Sequence, residues 1–296
     1  MIIGIMGDGF VGDALSYGIQ HFKRNEKFYN YIKDVIIYDP YKRPESKLTD
    51  LFNCDMIFVC VPTPMGDQGK IDDSIVEKCL NDLSDMKYNG VVIIKSTVSP
   101  ISILKFEKEF SSIKLLTNPE FLTERSARSD FINSEWITIG SNSGYHEILV
   151  EFYEKMYEEN NIKPKIVIVD LEAAMMAKYM TNVWFAVKVS LMNEFHGIWS
   201  NINPNRNSWE NVVEAFSSDT RVGQTHLEVP GPDGDKGWGG KCFPKDLNAL
   251  IHIAKDNECV YNVMRAAWES NKIFRKNKNW LSIPGAVNAL YQDEMD

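Results

Sequence analysis

No stretch of this sequence stays apolar for the roughly 20 residues that a membrane-spanning helix requires, so no membrane segment is expected. The opening MIIGIMGDGF is broken by glycine too early for a secretory signal, and a cytoplasmic chain is expected. Cysteine is scarce. Cys54, Cys60, Cys79, Cys242 and Cys259 are an odd number without the paired spacing of a disulfide framework or a zinc site, which points to reduced thiols and no metal. With 18 glycines and 12 prolines in 296 residues, the composition excludes fibrous and disordered classes. Positive charge is in deficit, with 32 Lys and Arg against 41 Asp and Glu. The net charge of −9 argues against nucleic acid or an acidic membrane surface as a partner. Neither an internal repeat nor a low-complexity tract is present.

What is present is enough apolar residue, 44% of the chain, to fill more than one core, and the length predicts two domains. Short β-branched runs at 2–6, 35–38, 56–61, 91–94, 114–117, 136–139 and 165–169 are bounded by Gly, Asp, Asn or Pro and alternate with longer mixed segments. That alternation predicts an α/β fold, a Rossmann-like, doubly wound and mostly parallel sheet with helices on its faces, over residues 1–169. From Asp170 the texture changes to apolar residues at helical spacing, with no glycine before Gly197 and no proline before Pro204. One long helix to about Ser200 is expected, then a helix over 208–216, a Gly/Pro/Asp-rich loop over 230–240 and helical stretches over about 245–276. Residues 170–296 therefore read as an all-α domain.

Gly7-Asp8-Gly9-Phe10-Val11-Gly12 follows the first strand and opens a helix. In that context the first glycine permits the tight turn, the second lets backbone approach a pyrophosphate, and the third lets helix pack on strand. Asp39 ends the next strand, where a carboxylate can accept both ribose hydroxyls and repel the extra phosphate of NADP. NAD is the expected cofactor, although Lys42 and Arg43 would suit a phosphate and Asp39 before Pro40 also suits a plain turn.

Gly237-Trp238-Gly239-Gly240-Lys241-Cys242-Phe243-Pro244-Lys245-Asp246 concentrates reactive residue types between a flexible loop and a helix. Lys241, Lys245 and a helix N-terminus would each stabilise a thiolate on Cys242, and Asp246 lies one helical turn on. The same residues also suit a tight structural loop with a buried Cys242. The other four cysteines read as small core fillers.

At this point the chain resembles the UDP-glucose 6-dehydrogenase family, in the GWGGKCFPKD stretch and, in order, in GDGFVG, VPTP at 61–64, KSTV at 95–98, NPEFLTE at 118–124, Lys178-Tyr179-Met180-Thr181-Asn182, Asn193-Glu194 and Thr220-Arg221-Val222-Gly223. The resemblance implies a four-electron oxidation: alcohol to aldehyde with one NAD, thiohemiacetal on Cys242, thioester with a second NAD, then hydrolysis. It implies Lys178 and Asn182 as oxyanion stabilisers, Glu120 as base for hydrolysis, and Thr97 and Asp246 as holders of a proton-transferring water. Around the cofactor it implies Gly7, Gly9, Val11, Gly12, Asp39, Thr63, Thr97, Glu124 and Lys245. Around the sugar nucleotide it implies Glu120, Phe121, Leu122, Lys178, Asn182, Arg221 and Gly239, with Arg221 reaching across the interface of a homodimer.

The chain departs from that pattern in four places, one of them Ser99-Pro100 in place of the usual residues after STV. Family members continue into a further α/β domain that grips the nucleotide, whereas about 20 residues follow Lys276 against the roughly 100 that a domain needs. A partner chain, dimer contacts or looser binding would take the place of that grip. Ser126 stands where glycine is usual, and the polar loop over 230–236 is longer than usual, which leaves the sugar open. Three readings are carried forward: a dehydrogenase of a UDP-sugar, UDP-glucose first; a non-catalytic NAD-binding scaffold; and a two-electron hydroxyacid-type dehydrogenase.

Overall fold

In the computed structural model, seven strands run β1 Ile2–Met6, β2 Asp34–Tyr38, β3 Met56–Val59, β4 Val91–Ile94, β5 Lys114–Thr117, β6 Trp136–Gly140 and β7 Lys165–Val169. Ten helices accompany them among the described residues, which are 1–160, 163–203 and 208–289. They are α1 Phe10–Phe22, α2 Glu26–Tyr31, α3 Ser74–Asp85, α4 Pro100–Glu109, α5 Ala127–Ile132, α6 His146–Tyr157, α7 Leu171–Ile202, α8 Trp209–Ser217, α9 Phe243–Asp256 and α10 Asn262–Phe274. The chain divides into two compact units, Met1–Thr63 with Asp72–Lys178, and Pro64–Ile71 with the described chain from Tyr179 onward.

In the first unit the strands form one sheet of order β2-β1-β3-β4-β5-β6-β7, parallel throughout except for the β5–β6 pairing. The period of two along each strand sends its side chains to opposite cores. Met56 and Phe58 join Leu15, Ile19, Phe152 and Tyr153 on one face, while Ile57 and Val59 join Val76, Leu80, Ile103 and Phe106 on the other. Burial on both faces is why these strands read as continuous apolar runs rather than alternating ones. From β1 the chain steps to one neighbour, β2, and then back across to the other, β3. The carboxyl ends of β1 and β3 are therefore the switch point, where open α/β sheets bind their ligands.

The second unit is helical. Tyr179, Val183, Ala186 and Val189 of α7 pack with Trp238, Leu247, Ile251, Trp268 and Trp280 in one core. A smaller cluster gathers Met192, Trp209, Leu227 and Val229. Pro64–Ile71 belongs here, with Met65 buried in the larger core and its amide donating to the Ala286 carbonyl. The fold class is as expected, an α/β sheet followed by helices. The α-stretch near the end breaks into α9 and α10 at Asn257, with Glu258 at positive φ between them. Of the expected tail, residues 290–296 lie outside the described residues.

Candidate active site

The glycine turn sits at the switch point. Gly7 adopts φ +96° directly after β1, and its amide donates to the Tyr38 carbonyl at the end of β2. A Cβ on Gly12 would lie 2.0 Å from the Gly7 carbonyl oxygen, so only glycine lets α1 settle on the turn. A Cβ on Gly9 would meet nothing within 4 Å. Gly9 therefore bares backbone to open space at the start of α1, whose first amides receive no side-chain cap. An uncapped helix N-terminus facing open space fits a pyrophosphate.

Asp39 closes the same turn. Its carboxylate accepts the Asp8 amide at 2.8 Å and the Tyr41 and Lys42 amides at 3.0 Å each. Partial burial works to raise its pKa, but these three amides and the Lys42 charge together outweigh burial and hold the carboxyl below its usual value. It is thus charged where a ribose would bind. The two cations that suited a phosphate are engaged within the turn itself: Lys42 Nζ donates to the Asp8 carbonyl and Arg43 Nε to the Asp8 carboxylate at 2.8 Å. The turn fits NAD better than NADP.

The other expected residues of the first unit follow the carboxyl ends of β3, β4 and β5. Thr63 is buried, Thr97 half-buried and Glu124 exposed. Glu120 and Lys178 meet as an ion pair at 3.1 Å, with side chains only 5% and 3% exposed. Glu120 also accepts the Leu122 amide at 2.5 Å, and the Lys178 ammonium lies 5.5 Å from the Phe121 ring centre. Lys95, the first residue of KSTV, is buried and donates to the Asn118 side-chain and backbone oxygens at 2.9 and 3.2 Å, a pairing the sequence did not foretell. Asn118 is held in turn by the Tyr153 hydroxyl at 2.6 Å and by donation to the Thr138 carbonyl at 2.7 Å. Lys95, Asn118, Glu120 and Tyr153 line one cavity of about 280 Å³.

In the second unit Cys242 occupies the N-cap of α9, half-buried, followed by Phe243 and Pro244 in the first turn. Proline suits that position because its missing N–H would be unsatisfied there anyway. The Asp246 amide returns to the Cys242 carbonyl at 2.9 Å. Asp246 is fully buried between Asn182, which donates to it at 2.5 Å, and the ammonium of its neighbour Lys245. Lys245 is therefore committed to a carboxylate. Arg221 is 88% exposed and bound to Asp219.

Cys54, Cys60 and Cys79 are core fillers as expected, their thiols pushed up to about 12 chiefly by burial. Cys259 is not: it is exposed beyond α9, because the break between α9 and α10 carries it out of the helix. Among the described residues no group of His, Cys, Asp and Glu could hold a metal ion, and no helix is long and apolar enough to cross a membrane.

The glycine loop leading to Cys242 is held by amide side chains. The Gly237 amide donates to Asn193 at 3.0 Å, the Trp238 amide to Asn271 at 2.8 Å and the Gly240 amide to Asn279 at 3.0 Å. Asn271 donates back to the Trp238 carbonyl at 2.9 Å. Of these partners the sequence had marked Asn193 alone.

Comparison with known proteins gives the family. Residues 30–161 match the model of the UDP-glucose/GDP-mannose dehydrogenase family's NAD binding domain, and residues 172–273 that of its central domain. UDP-glucose 6-dehydrogenase of Rickettsia felis is 31% identical over 83% of this chain and 54% of its own length. That of Rickettsia bellii is 33% identical over 75% of this chain and 50% of its own. The chain thus spans about half the length of the curated relatives it matches. A solved UDP-glucose dehydrogenase of Pyrobaculum islandicum superposes on 92% of this chain and 68% of its own at a TM-score of 0.74, with 22% identity, a likeness of fold. With a glycine turn and carboxylate shaped for NAD at one end and a thiol at a helix N-terminus in the other unit, the chain belongs to the UDP-glucose/GDP-mannose dehydrogenase family, and its cofactor is NAD.

Proposed function

We propose that this chain oxidises the primary alcohol of a nucleotide sugar, UDP-glucose first among them, to a carboxylate through a thioester on Cys242. The observation that carries the reading is the contrast among the five cysteines. Three are buried thiols, one lies on the surface, and only Cys242 combines partial exposure with a helix N-terminus that favours the thiolate. The first relatives bear the name UDP-glucose 6-dehydrogenase, which supports the substrate.

The glycine turn would hold NAD, which when bound would supply the hydride acceptor for each oxidation. The turn and Asp39 hold it, with Val11, Thr63, Thr97, Glu124 and Lys245 proposed beside them. In the first oxidation the hydroxyl proton leaves by way of a water held by Thr97 and Asp246. The Cys242 thiolate then adds to the aldehyde carbon, and the C–S bond makes a tetrahedral centre from which a second hydride can leave. Lys178 and Asn182 stabilise the oxyanion on that centre. Lys178 is held by its buried ion pair with Glu120 and Asn182 by its hydrogen bond to Asp246. Hydrolysis follows when Glu120 takes a proton from water, the water oxygen bonds to the thioester carbon, the C–S bond breaks and the thiolate and the carboxylate product are released. Phe121, Leu122, Gly239 and Arg221 complete the proposed sugar-nucleotide contacts.

The proposed assembly is a homodimer through α7. Met180, Trp184, Leu191, Phe195, Ile198 and Ile202 fall on one helical face and are all exposed, a larger apolar stripe than a solitary surface helix carries. Arg221, exposed on the same unit, would then serve a partner's substrate. Five cysteines without the paired spacing of a disulfide framework suit the reducing cytoplasm. The reading is tested with NAD and a panel of UDP- and GDP-sugars, alone and with candidate partner chains that could supply nucleotide grip. Formation of NADH with a sugar acid is expected, and NAD binding without turnover under every condition contradicts it.

A further inference from the structure

Asn271, Arg275 and Asn279 are spaced four apart along the end of α10 and the segment after it, and all three lie against the loop that leads to Cys242. Asn271 brackets Trp238, accepting its amide and donating to its carbonyl. Asn279 accepts the Gly240 amide, two residues before the thiol. Arg275, 2% exposed, pairs with Asp233 at 2.8 Å and Asp235 at 3.7 Å, and its Nε donates to the Asn277 carbonyl at 2.8 Å. One guanidinium therefore fastens the polar 230–236 loop to the end of α10. Partial burial works against ionisation of Asp233, yet Arg275 holds its carboxyl below the usual range.

The glycines of the loop are dictated by these same side chains. A Cβ on Gly239 would lie 2.3 Å from Asn279 Oδ1 and 2.8 Å from Arg275 Nη2, and one on Gly237 would lie 2.4 Å from Asn271 Oδ1. Glycine-rich backbone is the most mobile kind, so a nucleophile at its end is aimed only as well as the loop is fixed. On its downstream side Cys242 is tied into α9 through the Asp246 amide; on its upstream side the nearest tie from α10's end is the Asn279 to Gly240 bond.

We propose that Asn271, Arg275 and Asn279 are positioning residues that fix the backbone of residues 237–240 and thereby set the aim and reactivity of the Cys242 thiol. The proposal rests on Cys242 being the nucleophile. Its test pairs two readouts on Asn271→Ala, Asn279→Ala, Asn279→Asp and Arg275→Lys. The first is kcat and KM for NAD-coupled oxidation of UDP-glucose. The second is the rate of Cys242 alkylation by iodoacetamide across about pH 6 to 9, followed by mass spectrometry of the Cys242 peptide.

For Asn279→Ala the expected result is a kcat lower by roughly 10- to 100-fold with KM changed less than about threefold, as for a misplaced reacting group. Its alkylation profile moves to higher pH. Asn279→Asp keeps the acceptor for the Gly240 amide and returns kcat to within about threefold of wild type. Arg275→Lys keeps the charge but cannot fork between two carboxylates, and shows the same direction of change as Asn279→Ala. Asn279 is only half-buried, so its variants report on the loop even where Asn271→Ala does not fold. Alkylation profiles and kcat in Asn279→Ala and Arg275→Lys within about twofold of wild type, with only thermal stability lowered, would overturn the proposal. Were the wild type to turn over no nucleotide sugar, the functional reading would fail separately, and the alkylation contrast would still decide whether these residues govern the thiol.

Discussion

Lys95 brings an ammonium into the interior of the sheet unit, where Asn118 offers two acceptors and is itself fixed by Tyr153 and Thr138. Burial is the main cause that lowers its pKa to about 8, helped by Lys178 and opposed by Cys60 and Glu120. The unfolded chain therefore holds this proton at a pH where the native one has lost it, and stability from this group rises with pH. The contribution is complete above the unfolded value near 10.5 and is lost as pH falls through about 8. Urea unfolding at about pH 7.5 and 9.5 should show wild type gaining on the order of 2 kcal/mol relative to Lys95→Met. A constant gap between the two proteins would refute it. The resemblance marked the segments that hold Lys95 and Asn118, but nothing in the sequence joined them to each other or to Tyr153, because the β4–β5 pairing and α6 bring them together and no local pattern records either. The residues that were legible, such as Asp39 and Cys242, owe their meaning to immediate neighbours along the chain.

The elements were legible for a related reason. Strands buried on two faces must be continuously apolar, and the helices between them must be amphipathic, so both patterns are local. Less legible were features set by tertiary packing: Pro64–Ile71 joins the helical unit, and the α9–α10 break exposes Cys259. The turn between β1 and α1 carries its own prediction, because its glycines serve different ends. Gly9→Ala adds a Cβ into open space and should leave the thermal midpoint within about 2 °C, while weakening NAD binding by about tenfold or more, some 1.4 kcal/mol. Gly12→Ala drives a Cβ into the Gly7 carbonyl and should lower the midpoint by roughly 5–10 °C. Calorimetry and cofactor titration separate the two; equal effects of both variants on stability would contradict the assignment.

For the whole molecule, the exposed stripe on α7 and the thiol of the helical unit give two claims of different kinds. Trp184 is 64% exposed near the start of the stripe, and Trp184→Glu should convert a dimer to a monomer in light scattering. A monomeric wild type at micromolar concentration would remove the dimer from the account. The central claim concerns Cys242, since a thioester route releases two hydrides per sugar whereas simple alcohol oxidation releases one. The most direct measurement is therefore NADH formed per UDP-glucose consumed, in wild type and in Cys242→Ala. Two per sugar in wild type, with the second lost in the variant, is the result predicted. One per sugar, unchanged by Cys242→Ala, would contradict it.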